Sequence, residues 1–72
     1  MKLYAQFKRI NQDLLGSDGY LPLDARKATH TVMHEAKQHA RRLNANLNKG
    51  ITGVEIRRGD FKSSFPIVYS DL

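Results

Sequence analysis

The sequence predicts a small α+β domain, in which a long central helix packs on a C-terminal β-hairpin beside an N-terminal amphipathic segment. Three observations carry this. Residues 25–47 contain no Gly or Pro and repeat apolar residues at helical spacing. Residues 51–70 hold two β-rich runs on either side of Gly59-Asp60. The chain is 72 residues long, which is one domain, 1–72, near the lower limit for a core that folds unaided. A second copy is one way to complete such a core, so a homodimer enters the expectations.

The first segment supports two readings. Leu3, Phe7, Ile10 and Leu14 fall at helical spacing, and Gly16 follows two leucines as a helix stop would. Leu3, Ala5 and Phe7 also alternate, and Tyr, Phe and Ile favour strands. A strand ending near Ile10 would leave a loop of about a dozen residues, uncommon in a compact domain. The spacing therefore favours a helix over residues 2–15 and the order ααββ, with a third strand and the order βαββ as the alternative. "LLGSDGYLP", residues 14–22, is the clear break that follows.

In the central segment Asp24 is placed to cap the helix. At about 100° per residue, Ala25, Ala28, Val32, Ala36, Ala40, Leu43 and Leu47 fall in one arc, with Met33 at its edge. Alanine dominates that arc and allows close approach of a second element. The Asn-rich end "NANLNKG" unwinds into Gly50.

For the hairpin, Gly59-Asp60 suits a two-residue turn with Gly first. That turn opposes Arg58 to Phe61, Ile56 to Ser63, Val54 to Phe65 and Thr52 to Ile67. One face then collects Val54, Ile56, Phe61, Phe65, Ile67 and Tyr69, to be buried on the helix. The other shows Glu55, Arg57, Lys62 and Ser64 and no aromatic side chain. Pro66 makes its strand an edge.

Composition narrows the function. With 40% apolar and 26% charged residues the chain is globular. It has no cysteine, which favours a reducing cytoplasm. "MKLYAQFKRI" has no apolar core of a signal peptide, and no run approaches the roughly 20 apolar residues that span a bilayer, so no membrane is expected. The net charge is +5, and between Arg26 and Lys62 nine Lys/Arg stand against the three acids Glu35, Glu55 and Asp60. Such a field favours acidic partners.

Catalysis is not expected. There is no cysteine nucleophile, no Gly-x-Ser-x-Gly elbow and no Gly-rich phosphate loop, and the acids are scattered. Nor does the sequence predict a metal or another cofactor. "HTVMH" sets His30 and His34 one turn apart, but Thr31 stands where a zinc protease helix has its glutamate. His39 projects to nearly the opposite side of the helix, and Arg26, Lys37 and Arg41 would repel a cation.

Arg26, His30, His34, Lys37 and Arg41 instead form a stripe stepping by three or four residues, turned about 130° from the centre of the alanine face. No acid interrupts it, since Glu35 lies on the flank. A solvated helix commonly mixes charges, whereas stacking like charges costs stability. Basic side chains at this spacing can follow a phosphate backbone or reach base edges. Arg57, Arg58 and Lys62 add a second basic surface on the hairpin. With no aromatic on the exposed sheet face and a single long helix, neither single-strand stacking nor a helix–turn–helix fits. The tripeptide Arg58-Gly59-Asp60 reads as a turn rather than as an integrin ligand.

The expected function is a non-catalytic basic module that engages a polyanion, nucleic acid foremost, through the helix face. The alternative is a regulator or inhibitor docking on an acidic surface of a host nucleic-acid-handling protein. In style the chain is similar to accessory proteins of phages and mobile elements, being small, basic, free of cysteine and built of a helix and a hairpin. No shared motif transfers a residue role.

Overall fold

The structure is a computed structural model that describes residues 2–10, 12–14, 19–60 and 63–72, with Gln12 and Asp13 described by backbone alone. The elements are β1 (Leu3–Arg9), β2 (Gln12–Asp13), β3 (Tyr20–Leu23), α1 (Thr29–Leu47), β4 (Gly53–Arg58) and β5 (Phe65–Asp71). The fold is α+β. One helix packs against an antiparallel sheet four strands wide, whose first edge is shared by β2 and β3. Both pair with the same side of β1: Lys8 and Arg9 with Asp13 and Gln12, and Leu3 to Gln6 with Leu23 to Tyr20. The other side of β1 pairs with β4, and β4 with β5. Since β3 and β4 both run antiparallel to β1, α1 joins two strands of equal direction with β1 between them.

The N-terminal segment is thus a strand and not the helix its spacing favours. The alternation of Leu3, Ala5 and Phe7 decides it, because these residues face α1 in one core with Val54 and Ile56 of β4. The loop objection fails because the chain does not run free after Ile10. It re-pairs at once with β1 through β2, and Leu14 N and Phe7 N then bond to Phe7 O and Gly19 O at 3.2 and 2.9 Å. Gln6, buried on the other face, donates from Nε2 to Gly19 O at 2.7 Å and Leu14 O at 3.3 Å, which ties the connection's two ends to β1. Pro22 lies in β3 on the sheet edge, where its missing N–H costs no ladder bond.

α1 is one unbroken rod of 19 residues, beginning four residues later than Asp24 capping implies. Asp24 Oδ1 accepts from Arg26 N at 2.9 Å and shapes a turn ahead of the helix, and Ala28 is the cap residue without a side-chain bond. Val32, Ala36 and Ala40 are buried as the alanine arc predicts, while Ala25, Ala28 and Leu47 are exposed. At the far end Asn48 is left-handed at φ 52° and Gly50 follows at φ 72°. Asn44 then holds both backbone groups of Ile51, donating from Nδ2 to its O at 2.9 Å and accepting from its N at 2.7 Å.

The hairpin keeps its strands but not its predicted register. Arg58 opposes Phe65, Ile56 opposes Val68 and Val54 opposes Ser70, with an irregularity between Ile56 and Arg57. The connection runs from Gly59 to Ser64 rather than through two residues, and Phe61 and Lys62 lie outside the described residues. Moving the register changes which side chains are buried. Phe65, Ile67 and Tyr69, expected in the core, are 75%, 43% and 51% exposed, and Tyr69 sits on the face away from α1. Pro66 does lie in an edge strand.

Candidate polyanion-binding surface

The outer side of α1 carries the stripe. His30, His34 and Arg41 are exposed and Lys37 is half-buried. With a rise of about 1.5 Å per residue these four span about 16 Å of helix. Among the described residues none of the four side chains makes a hydrogen bond or ion pair. The nearest acid on the helix is taken out of play, since Glu35 Oε1 receives Lys27 Nζ at 2.7 Å. Glu35 holds the Lys27 ammonium above the ordinary lysine range through that hydrogen bond. The amino end of α1 has no side-chain cap and no acid in its first turn, so its dipole adds to the positive field.

Arg26 does not belong to the helical stripe. It lies in the preceding turn, and its Nε and Nη2 reach Asp24 Oδ1 and Oδ2, both at 3.1 Å. Those bonds hold the Asp24 carboxyl below the ordinary carboxylate range and Arg26 above its own. Both groups remain accessible, so Arg26 can exchange this local partner for another anion.

The hairpin cations separate. Arg58 shares the sheet side of Val54 and Ile56 and is exposed at the end of β4. Arg57 lies on the opposite side, where its guanidinium meets the Glu55 carboxylate and its Nε donates to Ser64 Oγ at 2.9 Å. Lys8 Nζ reaches the other Glu55 oxygen at 3.3 Å. Arg57 is therefore engaged within its own domain, and Lys62 lies outside the described residues.

That opposite sheet face corrects a second expectation, for it does carry aromatic rings. Tyr20, Gln6, Glu55 and Tyr69 form one row across four strands, and Tyr4 lies in the next. Tyr4 is buried, meets Tyr20 edge-on at 5.9 Å and bonds the Ser64 hydroxyl. The two exposed rings stand at opposite edges, about 14 Å apart at the usual strand spacing. Between them lie the buried Gln6 amide and Glu55 carboxylate, so no continuous stacking platform results. The signal for this layer was present in Tyr4-Gln6-Lys8 and Glu55-Arg57, but it reads as a face only once residues 3–9 are a strand.

His39 turns inward and stacks on Phe7 at 5.6 Å with 23° between the rings, away from the His30–His34 pair. Among the described residues no three His, Cys, Asp or Glu are grouped to hold a metal ion. A cleft of about 530 Å³ beside Tyr4, Tyr20, Pro22 and Lys2 brings in only Asp60 as an acid. Among the described residues no helix is long and apolar enough to cross a membrane. Comparison with protein families, curated proteins and solved structures returns no match.

Proposed function

We propose that this chain is a non-catalytic binding module that lays the outer face of α1 along a polyanion, with duplex nucleic acid as the partner. The observation that carries this reading is the row His30, His34, Lys37 and Arg41, exposed apart from the half-buried Lys37, with side chains unpaired among the described residues and uninterrupted by an acid. Its length of about 16 Å matches about five base-pair steps of a duplex, whose phosphates on one strand rise by about 3.4 Å each along the axis. Arg26 and Arg58 extend the positive field beyond the helix. The missing stacking platform favours a duplex backbone over single strands.

The test is duplex binding by fluorescence anisotropy across a salt series. With about four phosphates neutralised, affinity is expected to fall about 100-fold between 50 and 200 mM salt. Changing Arg26, Lys37 and Arg41 together to Gln is expected to abolish binding with the circular dichroism spectrum unchanged. Binding that survives the triple change removes the stripe as the site. A nuclease-insensitive complex with one acidic protein, with a shallow salt slope, would replace nucleic acid by the protein partner.

A further inference from the structure

Strand β5 ends the sheet, paired with β4 on one side only among the described residues. Its hydrogen-bonding phase follows from Leu72 N, which donates to Thr52 O at 3.0 Å. Leu72, Ser70 and Val68 therefore turn their backbone groups toward β4, whereas Tyr69 and Asp71 turn theirs outward. This edge is apolar: Phe65, Ile67, Val68 and Tyr69 are 75%, 43%, 38% and 51% exposed. α1 makes its main contacts with β4 and β1, and on the helix side of β5 Leu72 packs against the core while Val68 stays 38% exposed. Exposed edges are commonly guarded by Lys, Pro or a bulge. Here Pro66 and the irregularity at Ile56/Arg57 guard one end, while residues 67–71 carry no cation and only Asp71 as a charge.

We infer that two copies of this chain pair through β5, antiparallel about a two-fold axis, and continue the sheet from one copy into the next. Three observations select a second copy as the occupant. The outward N–H and C=O groups of Tyr69 are self-complementary, so Tyr69 can exchange both bonds with its counterpart. In that register Asp71 faces Ile67 of the second copy, and the two carboxylates do not meet. The exposed side chains of β5, Phe65, Ile67, Val68 and Tyr69, also offer on the order of 400 Å² per copy, taking a full aromatic as about 150–250 Å². Two copies together then offer roughly 800 Å², the size of a weak interface that forms with rising concentration. The two-fold stands perpendicular to the sheet, so both helices lie on the same side of it. The inference is independent of the polyanion reading, and the two respond oppositely to salt. Each copy carries +5, so screening strengthens self-association while it weakens polyanion binding.

Sedimentation velocity tests this across about 10–200 µM protein at low and high salt. The wild type is expected to shift from monomer to dimer with concentration, with more dimer at high salt. Tyr69→Pro removes an outward N–H that the domain's own sheet does not use, and Val68→Lys places a cation on the seam. Both are expected to stay monomeric at the highest concentration with unchanged circular dichroism. If Tyr69→Pro does not fold, Val68→Lys carries the comparison. A wild type that is monomeric throughout overturns the inference, as does a folded Val68→Lys that dimerises like the wild type.

Discussion

Replacing Asn44 by Ala removes the clasp between the end of α1 and the start of β4. The side chain makes two bonds to one residue, to Ile51 O at 2.9 Å and from Ile51 N at 2.7 Å. Ile51 is 3% exposed, so both backbone groups would be stranded where water has little access. Each unsatisfied group costs about 1–3 kcal/mol. Because Asn44 itself is only half-buried, a combined loss of about 2–4 kcal/mol is expected. A domain of this size has about 4–11 kcal/mol of stability in all. With a urea m-value of about 1 kcal/mol/M, the midpoint should fall by about 2–4 M with m unchanged. Amide exchange at Ile51 should accelerate by more than the global change predicts, because the residue also loses its local acceptor. Asn44→Asp keeps the bond from Ile51 N but sets a carboxylate against Ile51 O. It should be destabilised at neutral pH, with the deficit shrinking as the carboxyl gains a proton and can donate. A loss under about 0.5 kcal/mol for Asn44→Ala, at constant m, would refute the idea that these two bonds set the helix-to-sheet junction.

Three other outcomes follow from the same packing. Phe7→Ala empties a fully buried site beneath His39 and should cost about 3–5 kcal/mol in denaturant unfolding. Glu55→Ala leaves Lys8 and Arg57 facing each other without their carboxylate. A loss of about 1–2 kcal/mol is expected, scaled down because both cations are partly solvated, and Glu55→Gln should recover part of it. Arg26→Gln should raise the Asp24 titration midpoint toward the ordinary carboxylate value, read by NMR of its side-chain carboxyl. The sign is that of a depressed carboxylate: its contribution is present above the unfolded-state value and fades as pH falls through the lower folded value. An unmoved Asp24 midpoint would show that Arg26 does not hold that carboxyl in solution.

The central helix was legible because its period is long and its alanine arc is unbroken, so residues 29–47 appear as one rod with Val32, Ala36 and Ala40 inward. Its start was not, since Asp24 can serve a cap or a turn with the same oxygen, and the turn won. In residues 2–15, Leu3 and Phe7 satisfy a helical and an alternating pattern alike, and only partners distant in sequence decide between them. The hairpin register failed for a related reason. A Gly-Asp pair is a good two-residue turn, yet Val68 opposite Ile56 buries more of β4's inner side than Ser63 would. Of the helical stripe, His30, His34 and Arg41 are exposed as the helical period implies while Lys37 is half-buried, and Arg57 was not readable as engaged, because its partner Glu55 is recognisable only once both strands are placed.

The position of β1 at the centre of the sheet has a consequence for how the chain must assemble. Its pairing of Leu3 with Arg58 and of Lys8 with Gly53 closes nearly the whole length of the polypeptide before the sheet has a middle. Contacts this remote in sequence put the entropy of closure ahead of the reward, which slows folding relative to a helical bundle of the same size. Until β4 arrives, the first strand can pair only with its local partners β2 and β3, and its other edge waits unpaired.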